Sequence, residues 1–189
     1  MRTVVGLALV GALVASGAAQ AVGPLEQDPH QLRREYEEAA PWKEGSHAIP
    51  PLPAADALAT VDVAPPGTPF TVALDTQHLS VGEDGVVRYS VVLTSASGTR
   101  NLFFEGMRCS VPAYITYAFS SGEGKAFEPM TEPQWQPLPS RGTGAFRVPL
   151  RLDYFCDKAM EPRPLAEIRE RIQYPPRDSR TRLESILVR

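Results

Sequence analysis

The chain has 189 residues, with 19 Lys and Arg against 22 Asp and Glu, and a formal charge of −3. This length fits one domain of ordinary size, and the acidic balance argues against DNA or RNA as the main partner. A chain of this size can bury enough apolar surface to form a core without a metal ion.

The first 21 residues have the three parts of a cleavable signal peptide. Arg2 gives a positive start, residues 4–15 form an apolar run, and Ala19-Gln20-Ala21 has the small residues that signal peptidase accepts. A membrane-spanning helix needs about 20 apolar residues, and this run is shorter. We therefore expect cleavage after Ala21, export to the periplasm, and no transmembrane segment in the mature protein.

Residues 22–69 are predicted to form a helical and Pro-rich arm that precedes the core. Asp28 and Pro29 are typical of a helix start, so a short amphipathic helix is expected at His30–Ala40. Prolines are dense beyond it and favour an extended connector. Trp42 is expected to anchor the arm, and the sequence leaves open whether it packs on its own core or on a partner.

Residues 70–160 are predicted to form a β core. Alternation of apolar and polar side chains predicts the strands. Two of these strands are expected to pair as an antiparallel hairpin, with the turn at Ser97-Gly98. The predicted strands are Phe70–Asp75, Val86–Ser95, Asn101–Cys109 and Tyr114–Phe119. Residues 120–145 are rich in Gly, Pro and Ser, and we expect loops there with one short strand at most.

The segment Phe146–Tyr154 supports two interpretations. Its strict alternation favours a strand at a sheet edge, where Pro149 would be tolerated. However, Phe146, Leu150 and Tyr154 are also four residues apart, which suits a helix. We favour the strand.

Residues 161–189 are predicted to contain a short helix and a mobile tail. Leu165, Ile168 and Ile172 have helical spacing, Pro175-Pro176 ends the helix, and the tail begins at Arg177. The predicted fold is therefore one mainly β (α+β) domain. It has an antiparallel sheet, a helical and Pro-rich N-terminal arm, and a short C-terminal helix.

Cys109 and Cys156 are the two cysteines of the chain. An even number in an exported protein predicts a disulfide. A catalytic thiol would need a histidine base, and the three histidines all precede Cys109. A metal site would need about four ligands, and neither CxxC nor HxxH spacing is present. We therefore predict a Cys109–Cys156 bond, and neither a metal ion nor a cofactor.

The sequence contains no complete catalytic set. There is no GxSxG motif, and no GxxxxGK or GxGxxG follows a predicted strand, although a Ser-His-Asp triad stays open on spacing alone. Asp75, Glu83 and Asp84 flank one turn but lack the spacing of an EF-hand, so we interpret them as a solvated acidic turn.

The most suggestive polar residues lie on the predicted hairpin. If the turn is centred near Ser97-Gly98, Arg88 lies near Met107 and Arg108, and Glu105 is within diagonal reach of Arg88. The structural interpretation is a cross-strand salt bridge between Arg88 and Glu105. The functional interpretation is a polar ligand patch formed by Arg88, Glu105 and Arg108.

One block of the sequence has a distinctive set of motifs. It spans residues 80–109, SVGEDGVVRYSVVLTSASGTRNLFFEGMRC, with Trp42-Lys43-Glu44 before it, and Tyr117-Ala118 and Asp153-Tyr154-Phe155-Cys156 after it. Over about residues 40–160 these features resemble the CNP1-like family of exported bacterial proteins, named for a cryptic neisserial protein. The resemblance implies a periplasmic protein with a disulfide, and it implies no particular reaction.

We therefore expect a non-enzymatic periplasmic binding or interaction module, whose partner is a protein or a small ligand of the cell envelope. Two alternatives stay open: a periplasmic hydrolase with an unrecognised site, and an envelope assembly or structural factor. A concave pocket with convergent titratable groups would favour the enzyme. An exposed apolar patch would favour the interaction module.

Overall fold

The computed structural model describes residues 41–65 and 67–176. The expected signal segment at residues 1–21, the expected helix at His30–Ala40 and the tail from Arg177 lie outside the described residues. In the described part the chain is mainly β and forms a single domain, as predicted.

An antiparallel sheet of eight strands forms the domain. In chain order the strands are β1 (Leu58–Val61), β2 (Phe70–Asp75), β3 (Ser80–Val81), β4 (Val86–Ser95), β5 (Arg100–Arg108), β6 (Ala113–Ser121), β7 (Glu128–Pro129) and β8 (Gln136–Pro137). Their spatial order is β1-β2-β4-β5-β6-β7, with β3 beside β4 and β8 beside β6. The four predicted strands are confirmed, and the region expected to hold one short strand at most contains β7 and β8.

Helical segments cover one side of this sheet. The segment that we call α1 is continuous and consists of a 3₁₀ turn at Thr143–Phe146, an α-helical turn at Arg147–Pro149 and a π-helical turn at Leu150–Phe155. The helix α2, Leu165–Gln173, confirms the predicted C-terminal helix. A short 3₁₀ turn at Ala55–Ala57 leads into β1.

The strand favoured for residues 146–154 is wrong, because these residues belong to α1. Three apolar side chains of the segment are fully buried and four residues apart, a spacing that satisfies a helix and an alternating strand equally well. They are Phe146, Leu150 and Tyr154. Pro149 disfavours the strand, since its missing N–H would remove a hydrogen bond of the sheet, and in the structure it ends the α-helical turn and caps the π-helical turn that follows.

The predicted hairpin is present as β4 and β5, with Gly98 in the turn at a φ of +87°. Its register differs from our expectation by one residue. Arg88 lies opposite Gly106, and Tyr89 lies opposite Glu105. Because side chains alternate between the faces of a sheet, this difference places Arg88 and Glu105 on opposite faces.

Both faces of the sheet are covered. The helix face carries the larger apolar core, in which side chains such as Tyr89, Val91 and Met107 pack against α1 and α2. The strap face is covered by residues 41–54, which have no regular secondary structure and which we call the strap. A smaller core of Val92, Leu102, Phe104, Ile115, Tyr117, Ala118 and Phe127 lies on this face, with Leu52 of the strap against it.

A disulfide joins Cys109 and Cys156, whose Cα atoms are 5.5 Å apart. Cys109 directly follows β5 and Cys156 directly follows α1, so the bond ties the helical layer to the sheet. Within residues 41–65 and 67–176, no helix is long and apolar enough to cross a membrane.

Candidate functional site

The strap is held to the sheet by the carboxylate of Glu44. Its Oε1 accepts a hydrogen bond from the hydroxyl of Tyr117, and its Oε2 accepts one from Nε1 of Trp135 at 2.9 Å. Nη2 of Arg88 lies 3.5 Å from Oε1, and Nδ1 of His47 lies 3.8 Å from it. Glu44 is therefore a partly buried anion that side chains from distant parts of the sequence surround.

Arg88 binds Asp84 through two hydrogen bonds beneath the strap. The Nη1–Oδ1 distance is 3.2 Å and the Nη2–Oδ2 distance is 2.6 Å. The backbone N–H groups of Gly45 and Val86 also donate to Asp84. Burial alone would raise the pKa of Asp84, but these hydrogen bonds outweigh it and lower the pKa to about 2. Asp84 is thus a paired anion, and Asp75 is fully buried with its Oδ2 2.7 Å from Nδ1 of His78, so our interpretation of a solvated acidic turn is wrong for both residues.

Two tryptophans and an arginine form the outer part of the strap contact. The guanidinium of Arg108 lies 3.7 Å from the ring centroid of Trp42 and 5.8 Å from that of Trp135. The two indole rings meet edge to face at 5.7 Å, and Nε1 of Trp42 donates to the carbonyl oxygen of Asp84 at 2.8 Å. Trp42 therefore anchors the strap on the sheet of its own chain, so this described part of the predicted arm packs on its own core.

Tyr117 reaches Glu44 because β6 has a bulge at this position. The pairing of β5 with β6 skips Tyr117, and the pairs on either side are Phe104–Ala118 and Glu105–Thr116. A Cβ atom at Gly106 would lie 2.5 Å from the Tyr117 hydroxyl, so glycine leaves the space that the ring needs. Burial, followed by the hydrogen bond to Glu44, raises the pKa of Tyr117 well above its usual value.

Glu105 is the centre of a separate network on the helix face, where it is fully buried. Arg147 of α1 donates to both carboxylate oxygens, with an Nε–Oε2 distance of 2.9 Å. The hydroxyls of Tyr89 and Thr116 donate at 2.8 and 3.3 Å. Burial raises the pKa of Tyr89, which keeps its hydroxyl protonated as a donor. Four donors therefore satisfy this carboxylate without solvent.

An open groove lies on the helix face along β5 and β6. It has a volume of about 480 Å³, and residues of the β7–β8 connection form its wall. Its lining residues are Phe103, Thr116, Phe119, Met130, Glu132, Pro133, Gln134 and Gln136. Phe119 and Met130 are 42% and 41% exposed, which is high for large apolar side chains. Glu132 is the one charged side chain among the described residues that line the groove.

The residues that the sequence singled out are not brought together as one patch. Arg88 and Arg108 share the strap face, whereas Glu105 lies on the helix face with Arg147 as its partner. The expected Arg88–Glu105 salt bridge is therefore wrong, because the register differs by one residue. In the described part of the chain, no group of three or more His, Cys, Asp and Glu could hold a metal ion.

A family model described as the CNP1-like family matches residues 37–173. The match covers most of the chain and includes the strap, every strand of the sheet, α1 and α2. The chain belongs to the CNP1-like family. Comparison with curated proteins and with solved structures finds no match.

In this CNP1-like domain, several motifs behind the resemblance meet at the strap, whereas Asp153-Tyr154-Phe155-Cys156 lies at the end of α1. Trp42 and Glu44 come from the strap, Asp84 from the turn before β4, Arg88 from β4, and Tyr117 from the bulge of β6. The sequence interpretation missed Glu44, Trp135 and Arg147 as partners. The signal for Glu44 was present in the Trp42-Lys43-Glu44 motif, but nothing local indicated which residues it would contact. The Cys109–Cys156 bond is consistent with an extracytoplasmic location.

Proposed function

We propose that the chain is an exported periplasmic binding module, and that the groove along β5 and β6 is its binding surface for a segment of a partner protein. The observation that carries this proposal is the exposure of Phe119 and Met130 in an open groove of about 480 Å³. Apolar side chains that stay exposed together in a concave surface commonly mark an interaction site.

The chemistry of the groove indicates the kind of segment that fits. Phe103 and Phe119 offer an aromatic floor for an apolar side chain, while Gln134 and Gln136 offer hydrogen-bonding groups at the rim. Glu132 lines the groove, and Glu128 lies opposite Phe119 in β7. An apolar side chain next to a lysine or arginine would therefore complement this surface.

The placement of the titratable groups supports binding over catalysis. Glu44, Asp84 and Glu105 each accept several hydrogen bonds from the protein itself. These carboxylates have the environment of structural anions, because a general acid or base needs a substrate within reach. The groove, in contrast, is lined mainly by apolar and amide side chains.

Export is supported by the sequence of residues 1–21 together with the disulfide. We expect the protein recovered from the periplasm to begin at Val22, which intact-mass measurement and N-terminal sequencing would show. A mass that retains residues 1–21 would contradict cleavage after Ala21.

Groove binding can be tested with a defined probe. A display library of random peptides is selected against the purified protein, and selected peptides are measured by fluorescence anisotropy. We expect them to combine an aromatic or aliphatic residue with a lysine or arginine. Phe119→Ala and Met130→Ala should each weaken binding about tenfold or more, as for an anchor side chain of an interface. The control Tyr174→Ala, which removes a more exposed aromatic side chain outside the groove, should leave binding unchanged.

Two outcomes would contradict the groove as the binding surface. One is the absence of saturable binding by any selected peptide. The other is equal binding by the wild-type protein and by the two groove variants, since the peptide would then occupy another surface.

A further inference from the structure

Arg151 in α1 is a buried cation whose partners among the described residues are a carbonyl oxygen and a sulfur. Its residue is 8% exposed, and its Nε is buried without a hydrogen-bond partner. Nη2 donates to the carbonyl oxygen of Cys109 and lies 3.1 Å from the sulfur of Met160. Among the residues that the structure describes, no carboxylate forms an ion pair with Arg151. Burial accordingly lowers its pKa.

The two other buried arginines of the described chain behave differently. Arg88 pairs with Asp84 and Arg147 pairs with Glu105, so each guanidinium is compensated by a carboxylate. Buried charges in proteins are ordinarily compensated in this way, because an unpaired charge away from water is costly. Arg151 is therefore the exception that needs an explanation.

The sulfur of Met160 is the side-chain acceptor that Nη2 of Arg151 contacts. A thioether sulfur is a weak acceptor for a charged donor. Met160 has a φ of +64°, a region that side chains other than glycine rarely adopt, and it is the one such residue in the described chain. The side chain is 39% exposed. Met160 is thus a strained and accessible residue, and its sulfur is a weak acceptor for the buried guanidinium of Arg151.

Met160 also lines a cavity of about 430 Å³ between α1 and α2. The charged residues of the lining are Asp153, Asp157, Lys158, Arg163 and Arg171. Glu167 pairs with both of these arginines, and Asp157 accepts the backbone N–H of Glu161. Lys158 makes no ion pair with a described residue and is exposed. The lining therefore carries three cations and two carboxylates, and it includes Met160, whose sulfur contacts Nη2 of Arg151.

We propose that Arg151 and Lys158 form an anion site, in which a phosphate or carboxylate oxyanion displaces the sulfur of Met160 from Nη2 of Arg151. A guanidinium and an ammonium group are the usual protein donors to such oxygens. This cavity shares no residue with the groove along β5 and β6. The anion site is therefore independent of the proposed binding function.

The methyl signal of Met160 reports directly on the displacement. The purified protein is labelled with ¹³C at the methionine methyl groups, and inorganic phosphate, sodium acetate and sodium chloride are titrated at matched ionic strength. We expect phosphate, acetate or both to shift the Met160 signal in a saturable way, and chloride to leave it in place. The signals of Met107 in the core and Met130 in the groove are internal controls, and Met160→Leu assigns the Met160 signal.

Thermal unfolding of variants gives a second test. Phosphate or acetate should raise the melting temperature of the wild-type protein, since a ligand that binds only the folded state stabilises it. This rise in melting temperature should vanish in Arg151→Gln and be smaller in Lys158→Gln. In Met160→Ala it should reach saturation at a several-fold lower concentration of phosphate or acetate. Arg169→Gln is the matched control, because Arg169 is exposed, lies outside this cavity, and donates to the carbonyl oxygens of Thr76 and Gln77.

The proposal is overturned if neither oxyanion shifts the Met160 signal, or if chloride shifts it equally. It is also overturned if Arg151→Gln retains the full rise in melting temperature. Where Arg151→Gln does not fold, the methyl titration of the wild-type protein and the Lys158→Gln and Met160→Ala variants decide between the two outcomes. A response to phosphate alone indicates a phosphate ligand, and a response to acetate alone indicates a carboxylate.

Discussion

Glu105 and Arg147 form an ion pair that solvent does not reach, and the pair links the sheet to α1. Arg147→Met should lower the free energy of unfolding by about 3–5 kcal/mol, because it leaves the Glu105 charge buried without its main partner. Urea denaturation at neutral pH measures the change. Arg169→Met, at an exposed arginine, is the control and should have little effect.

The same pair can be tested by removing both charges. Glu105→Leu combined with Arg147→Met should be much less destabilising than the sum of the two single substitutions, since no buried charge remains. Additive effects in this double-mutant cycle would mean that the two residues stabilise the fold independently.

Asp84 makes the stability of the protein depend on acidity. Its pKa of about 2 in the folded state is lower than its usual value of 3.8, so the paired carboxylate stabilises the fold fully above the usual value. That contribution, roughly 2 kcal/mol, is lost as the pH falls from about 4 to about 2. We expect Asp84→Asn to reduce the loss of stability over this range, and the exposed Glu83→Gln to leave it unchanged. Urea denaturation at several pH values measures both, and an equal loss in Asp84→Asn would contradict the account.

Single residues differ in how far the sequence predicts their role. The pairing of Cys109 with Cys156 follows from their even number and the expected compartment, and the structure shows the bond. The partner of Glu105 could not be found, because Arg147 lies in the segment whose secondary structure was ambiguous. Glu44 contacts residues that are 44 to 91 positions away in the sequence, and no local pattern contains that information.

At the scale of elements, the bulge in β6 and the glycine in β5 depend on each other. Gly106→Ala should destabilise the fold by about 1–3 kcal/mol, because the new Cβ would lie 2.5 Å from the Tyr117 hydroxyl and 3.0 Å from the Ile115 Cγ2. In the Tyr117→Ala background the cost of Gly106→Ala should be smaller, since the ring is absent. Unfolding free energies of the four proteins in this cycle measure the difference, and equal costs in both backgrounds would show that the ring and the glycine are not coupled.

The secondary-structure elements were predictable where the spacing of apolar residues fitted only one type of secondary structure. The strands β2, β4, β5 and β6 alternate clearly, and the structure confirms them. The pattern in α1 had two meanings, because residues four apart share a face in a strand and in a helix. The register of the hairpin formed by β4 and β5 was the other feature that the sequence did not predict. Ser97-Gly98 located the turn, but a difference of one residue was enough to move Glu105 to the other face.

At the scale of the whole molecule, one covalent bond holds the helical layer on the sheet. The bonded cysteines are 47 residues apart, and closing a loop of that length stabilises the fold by about 4 kcal/mol in the chain-entropy model. We expect Cys109→Ser combined with Cys156→Ser to lower the melting temperature and to retain the β signal in circular dichroism. The hairpin of β4 and β5 should persist, because both strands lie outside the loop that the bond closes. Loss of the β signal would contradict this expectation.

The strap contact has a consequence for any optical measurement on this protein. The chain has two tryptophans, and both belong to this contact, with Trp42 on the strap and Trp135 against it. Tryptophan fluorescence, excited at a wavelength that tyrosine does not absorb, therefore reports whether the strap is attached and not the state of the main core. If the strap detaches before the sheet melts, fluorescence will show an earlier transition than circular dichroism. Different midpoints in fluorescence and in circular dichroism would then show that the protein unfolds in two cooperative units. A free energy of unfolding taken from tryptophan emission alone would describe the detachment of the strap.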